Sequence, residues 1–156
     1  MSANIAVGDK APGFRLPHDG GGHVSLSDFK GQKLVLYFYP KANTSGCTVE
    51  AKDFTRLATA FARADTAILG VSADPIPKQE KFKAKQDLSI MLASDETHDM
   101  LKAYGVWTKK SMFGHSYMGI LRNTYLIGAD GKIARIWEKV KVAGHAEEVL
   151  AAAKAL

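Results

Sequence analysis

The sequence predicts an α/β fold: a mixed central sheet flanked by helices on both faces, with an N-terminal β-hairpin. Three observations carry this. Two runs, Lys33–Tyr39 and Thr66–Ser72, are nearly all apolar rather than alternating, as suits strands covered on both faces. Helical patterns lie between successive strands of the first half, and such crossovers imply parallel pairing. Ala129-Asp130-Gly131, between two later extended runs, is a turn that demands an antiparallel pair.

In chain order, Phe14–Leu16 and His23–Leu26 form the hairpin, with Gly20-Gly21-Gly22 at its turn. Ser27-Asp28-Phe29-Lys30-Gly31 reads as a single helical turn closed by glycine. Lys33–Tyr39 is a central strand that stops at Pro40. Residues 50–64 are predicted helical, because Ala51, Phe54, Leu57, Ala58 and Phe61 make one stripe at three- and four-residue steps. Thr66–Ser72 is a second buried strand, ended by Asp74-Pro75-Ile76-Pro77. A helix over 78–87 and a short strand over 89–93 follow. Ser94 is the predicted N-cap of a helix over 95–104, which Gly105 ends; Thr97 in place of Glu or Gln makes it a plain cap. Residues 106–119 read as a long loop carrying Trp107, Met112, Phe113 and Tyr117, longer than usual for a compact domain. Residues 122–127 and 132–138 are the hairpin strands around Asp130-Gly131, and 146–156 is the closing helix.

A chain of 156 residues is expected to form one domain, 1–156, around a single core. Hydrophobic content of 46% with 24% charge is that of an ordinary globular protein, and no apolar run reaches the roughly 18–20 residues of a membrane span. Met1 to Val7 lacks a basic stretch followed by an apolar block, so no secretory signal is expected. A single cysteine permits no internal disulfide and fits a reducing, cytoplasmic setting. The net charge of +5 is spread out. Its densest cluster, Lys78, Lys81, Lys83 and Lys85, is read as a solvated helix face, so no nucleic-acid partner is expected. His18, His23, His98, His115 and His145 show no paired ligand spacing, which argues against a metal site. The three glycines lack phosphate-loop spacing.

The residue that stands out is Cys47. The aromatic run ending at Tyr39 gives way to a polar loop with Asn43, Ser45 and Gly46, and a helical pattern begins at the cysteine. A helix N-terminus presents unpaired N–H groups and a positive dipole end, which favour thiolate over thiol. The thiolate is the nucleophile, so redox or nucleophilic chemistry is indicated. The alternative is an inert core thiol.

Pro40, Thr44 and Cys47 stand in a P-x-x-x-T-x-x-C arrangement, within Phe38-Tyr39-Pro40-Lys41 to Gly46-Cys47-Thr48-x-Glu50-Ala51. Downstream come Met118 to Ile127 with Arg122, then Asp130-Gly131-Lys132-Ile133, then Lys139-Val140-Lys141-Val142-x-Gly144-His145-Ala146. From about Val7 to its end, the chain resembles the peroxiredoxins, in particular the bacterioferritin comigratory protein branch, also called PrxQ.

The resemblance implies a thioredoxin-like fold and a thiol-dependent peroxidase that reduces hydrogen peroxide and organic hydroperoxides. It implies that Cys47 is the nucleophile and passes through a sulfenic acid. Thr44 would donate to the thiolate or contact the peroxide; its alternative is a cap or turn residue. Arg122 would polarise the peroxide oxygens and favour the thiolate. Pro40 would shape the pocket and shield the thiolate from water. Glu50 either serves only as a favourable first-turn carboxylate or has a further role. Trp107, Met112, Phe113 and Tyr117 either rim the site or pack the loop. No cofactor is implied, because sulfur carries the electrons.

Two departures matter. Where members of the branch often carry a resolving cysteine, this chain has Lys52 and Lys83, and where they usually have proline it has Ser45. A one-cysteine mechanism follows, with thioredoxin, glutaredoxin or a low-molecular-weight thiol as external reductant, and a monomer, or else a weak dimer, as the working unit. The rivals are a thiol-disulfide oxidoreductase, weakened by the lack of a C-x-x-C pair, and a binding protein whose thiol is incidental.

Overall fold

The computed structural model describes residues 5–156. Strands β1 (Arg15–Pro17) and β2 (His23–Ser25) pair antiparallel, Leu16 opposite Val24. A 3-10 turn, Leu26–Phe29, leads into β3 (Lys33–Phe38). Then come α1 (Ser45–Arg56), α2 (Ala58–Arg63), β4 (Thr66–Ser72), α3 (Ile76–Gln86), β5 (Met91–Ser94) and α4 (Asp99–Ala103). The remainder is β6 (Trp107–Met112), β7 (His115–Ile120), β8 (Thr124–Ile127), β9 (Ile133–Trp137) and α5 (His145–Ala155).

The central sheet runs β5-β4-β3-β8-β9. β4 pairs parallel with β3 and β5, whereas β8 pairs antiparallel with β3 and β9, so the sheet is mixed as the sequence indicates. The apolar run of β3 is explained by its central place. Val35 and Tyr37 face a core with Phe54, Phe61, Phe82 and Val149, drawn from α1, α2, α3 and α5. Leu34, Leu36 and Phe38 face the opposite core, which Met100 and Leu101 of α4 and Leu16 and Val24 of the N-terminal hairpin complete. Alternate side chains of one strand thus serve two cores, and burying each large apolar side chain is worth about 1.5–3 kcal/mol.

Several expected elements differ. Residues 106–119 are not a loop: β6 and β7 form a two-stranded hairpin, Trp107 opposite Ile120. Its two-residue turn, Phe113-Gly114, holds both residues at positive φ, 51° and 79°. Such a turn normally announces itself as Asn-Gly or Asp-Gly, and Phe at positive φ gives no such signal. The helix expected over 95–104 is only Asp99–Ala103. Ser94 is no cap. It ends β5 opposite Ser72; His98 stands at the N-cap position, and Asp95 Oδ2, from upstream, accepts the Leu101 N–H at 2.9 Å. The helix expected over 50–64 begins at Ser45 and is interrupted at Leu57 before α2; Leu57 N–H still donates to Asp53 O, and Phe61 N–H to Leu57 O. The helix expected from Lys78 begins at Ile76, because Pro77 in the first turn has no amide that the helix needs. The single turn lies at 26–29 rather than 27–31, and β5 at 91–94 rather than 89–93. Arg122 does not open a strand; it lies in the link between β7 and β8.

A cysteine–arginine candidate active site

The local sequence dictates where Cys47 goes. Tyr39 extends the edge of β3, its N–H bonded to Val71 O, and Pro40 ends the ladder because it has no amide to donate. Asn43 adopts a positive φ of 63°, and the chain turns into α1 with Thr44 at the N-cap position. Ser45 is the first helical residue. Cys47 is the third, and its side chain is 1% exposed beneath Tyr37 and Tyr39 in the sheet core.

Arg122 reaches this thiol from far along the chain. Its Nη2 lies 3.4 Å from Cys47 Sγ, and its Nη1 donates to Glu50 Oε1 at 2.8 Å. Gly46 lies against the guanidinium: a Cβ there would stand 3.1 Å from Arg122 Nη2, close enough that the arginine would have to shift by a few tenths of an ångström. The link bearing Arg122 is fixed at several points. Leu121 N–H donates to Val106 O at 2.8 Å, Val140 N–H to Arg122 O at 2.8 Å, and Lys139 N–H to Asn123 Oδ1 at 2.9 Å.

The charges around the thiol are coupled. Glu50 is 1% exposed, and its Oε2 has no partner among the described residues. Burial raises its pKa to about 7, although the Arg122 charge and hydrogen bond pull it down. The two partners therefore shift for different reasons. Burial works against the Arg122 charge, but Glu50 and Cys47 together outweigh it and hold the guanidinium above its ordinary value. Behind Glu50, the buried Tyr37 hydroxyl is pushed well above the usual phenol range, mainly by burial.

Thr44 is exposed at the N-cap of α1, makes no side-chain cap bond and does not line the cleft beside Pro40. Its hydroxyl donates to Lys41 O at 2.7 Å, which leaves the oxygen lone pairs free to accept. Pro40 lines one wall of a cleft of about 450 Å³ whose other walls include Trp107, Lys110, Tyr117 and Met118. Of the aromatic and methionine side chains weighed as a rim, Trp107 and Tyr117 line this cleft. Met112 and Phe113 stand at the exposed hairpin tip, Phe113 being 94% exposed. A larger cavity, about 540 Å³ between the N-terminal hairpin and the β8–β9 turn, touches none of these residues.

Neither Lys52 nor Lys83 offers a second thiol. Lys52 is exposed on α1. Lys83, on α3, pairs with the buried Asp19 at 2.6 Å, and Asp19 also accepts Leu92 N–H at 2.8 Å. The sequence reading left the role of Glu50 open and missed Gly46 as the residue that packs against the guanidinium. The i to i+3 spacing from Cys47 to Glu50, one helical turn, was the available signal. Among the described residues no three His, Cys, Asp or Glu side chains gather as a metal-binding group, and no helix is long and apolar enough to cross a membrane.

Residues 7–136 match the AhpC/TSA family. The chain is 47% identical over 146 residues to peroxiredoxin Bcp of Bacillus subtilis, which covers 94% of this chain and 93% of that one. Among solved structures, PrxQ of Xylella fastidiosa, in a cysteine-to-serine mutant, superposes with a TM-score of 0.93 at 39% identity, covering 99% and 98% of the two chains. The bacterioferritin comigratory protein of Xanthomonas campestris, described for its alkyl peroxide reduction activity, superposes at 0.87 with 42% identity, covering 91% and 90%.

Proposed function

The chain belongs to the AhpC/TSA family and is a thiol-dependent peroxidase of the Bcp/PrxQ kind, and from that premise we propose that Cys47 alone carries its redox chemistry. The observation behind this reading is the 3.4 Å approach of Arg122 Nη2 to Cys47 Sγ.

The Cys47 thiolate attacks the terminal oxygen of a hydroperoxide. An S–O bond forms, the O–O bond breaks, and sulfur supplies the electron pair. The alkoxide or hydroxide that leaves takes up a proton and departs as alcohol or water. Arg122 holds the sulfur in line and meets the charge that develops on the leaving oxygen, as a preorganised donor does. Thr44, its proton committed to Lys41 O, accepts the O–H of the incoming peroxide and so orients it. Pro40, with no amide to offer, keeps that side of the thiolate dry. Glu50 fixes the guanidinium and is not itself a reacting group.

With no second cysteine in the chain, an external thiolate attacks the Cys47 sulfenic acid and expels water. The resulting mixed disulfide is resolved by a further thiol, which releases Cys47 and leaves the reductant as a disulfide. Thioredoxin, glutaredoxin or a low-molecular-weight thiol fits this role. A single domain over 1–156, a monomer in a cytoplasmic, reducing setting, completes the proposal. The lone cysteine supports the setting.

The test is a steady-state assay with hydrogen peroxide or an alkyl hydroperoxide and several thiol donors, on the wild type and on Cys47→Ser. Consumption should require both peroxide and thiol and should vanish in the serine variant with its melting temperature unchanged. Turnover retained by Cys47→Ser would overturn the mechanism.

A further inference from the structure

Lys110 is a cation that the mechanism above leaves unused. It lies on β6 opposite Tyr117, half-buried in the wall of the cleft beside Pro40. Gly119 makes room for its stem, since a Cβ there would stand 3.0 Å from Lys110 Cδ. Its ammonium donates to the Ile120 carbonyl, and Ile120 is the last residue of β7, two before Arg122.

Two features distinguish it from an ordinary surface lysine. A partly buried ammonium directed at a backbone carbonyl gives up part of its hydration, and the hydrogen bond holds it in place. The carbonyl it holds starts the short link that delivers the guanidinium to the thiol. Burial lowers its pKa most, the Arg122 charge lowers it further, and Cys47 raises it. The other charged groups lining the cleft are Lys41, Lys78 and Asp74. Asp74 is engaged by the Ser72 hydroxyl at 2.7 Å and the Ala42 N–H at 2.8 Å, so it is turned to the loop rather than to Lys110.

We propose that Lys110 is a positioning residue of the peroxidase site: tied to Ile120 O, it places a second fixed positive charge beside Arg122, and that charge favours the Cys47 thiolate. The inference rests on Cys47 being the reacting group. The duty it assigns is the charge, which Lys110→Gln removes while leaving a donor for Ile120 O.

The experiment compares Lys110→Gln, which keeps a donor for Ile120 O but no charge, Lys110→Met, which removes both, and Lys110→Arg, which keeps both. The first readout is Cys47 alkylation by iodoacetamide against pH, with no peroxide present, so it does not depend on peroxidase activity. The second is single-turnover oxidation by hydrogen peroxide. In Lys110→Gln and Lys110→Met the alkylation profile should move to higher pH, and both rates at neutral pH should fall about three- to tenfold, the loss of one partly screened cation. Lys110→Arg should restore the wild-type profile. Raised salt should shrink the difference between wild type and Lys110→Gln. A Lys110→Gln protein with wild-type melting and an unmoved profile would overturn the proposal, as would an Arg variant that behaves like Met. Normal alkylation differences in a protein without peroxidase activity would count against the proposed function and not against this role.

Discussion

Glu50 Oε1 accepts a hydrogen bond from Arg122 Nη1 at 2.8 Å, across 72 residues of sequence, inside the turn of helix that begins at the only cysteine. The pair fixes the plane of the guanidinium, and its other arm then falls 3.4 Å from Cys47 Sγ. Because Glu50 is buried, this geometry depends on a carboxylate that burial itself resists.

Replacing the guanidinium should be costly. Arg122→Met retains length and apolar stem but removes every donor. Loss of one such preorganised donor costs on the order of 100–1000-fold in rate. Stopped-flow oxidation of Cys47 by hydrogen peroxide measures it. A rate within twofold of wild type would return Arg122 to a purely structural role.

Glu50 sets a pH dependence with a definite sign. Its folded pKa, about 7, lies above its ordinary value of 4.5. Between these values the unfolded chain has already released the proton while the folded chain retains it. Stability from this group is therefore full below about pH 4.5 and is lost as pH rises through about 7. Urea unfolding of wild type and Glu50→Gln across pH 4.5–8 isolates the effect. The wild type should lose stability relative to the glutamine variant as pH rises, and parallel curves would refute the assignment.

His145 works in the opposite direction. It lies buried at the start of α5, its Nε2 2.9 Å from Thr124 Oγ1, between the rings of Phe54 and Trp137. Burial lowers its pKa from 6.5 to about 4. The unfolded chain thus takes up a proton first as pH falls, and stability drops between about pH 6.5 and 4. His145→Gln should flatten the acid limb of the stability curve, and titration of the imidazole by NMR should place its midpoint below the ordinary value. An ordinary midpoint would refute it.

Oxidation of the thiol without reductant has only limited outcomes in a chain with one cysteine. One equivalent of peroxide should add one oxygen to the monomer or give a reducible intermolecular disulfide, and excess should drive Cys47 to the sulfinic acid. Intact-mass spectrometry after stepwise addition reads this directly. Resistance to excess peroxide with neither an added thiol nor dimer formation would end the one-cysteine reading. Installing a partner as Lys83→Cys carries its own cost, because it breaks the 2.6 Å ion pair and leaves the Asp19 carboxylate buried without its cation.

Much of the fold was legible in the sequence because it is written in local periodicity. β3 and β4 read as central strands from their apolar runs, the β8–β9 turn from Asp130-Gly131, and α1 from its stripe of Ala51 and Phe54. These signals depend on neighbours in sequence, and each strand or helix had to be amphipathic or fully apolar to bury its share of the two cores. The β6–β7 hairpin was illegible for the complementary reason. Its strands are largely exposed, their residues from Lys109 to Met118 mix polar and apolar types without a steady alternation, and its turn rests on Phe113 at positive φ.

The residue types of the site were legible too: a lone thiol at a helix start, and Pro40, Thr44 and Arg122 from the resemblance to peroxiredoxins. The sequence by itself determined a mixed α/β sheet, a lone thiol in the first turn of a helix, and the want of any internal partner to form a disulfide. Only the tertiary structure decided that Arg122 lies against Cys47 rather than in solvent, that Glu50 is its counter-charge, and that Gly46 packs against the guanidinium. It also decided that Lys110 stands beside the link that carries Arg122. These are contacts between residues up to 75 apart in the chain. No periodicity encodes such a contact. It forms only when β3 and β8 pair, which brings the loop before α1 and the link before β8 to the same end of the sheet.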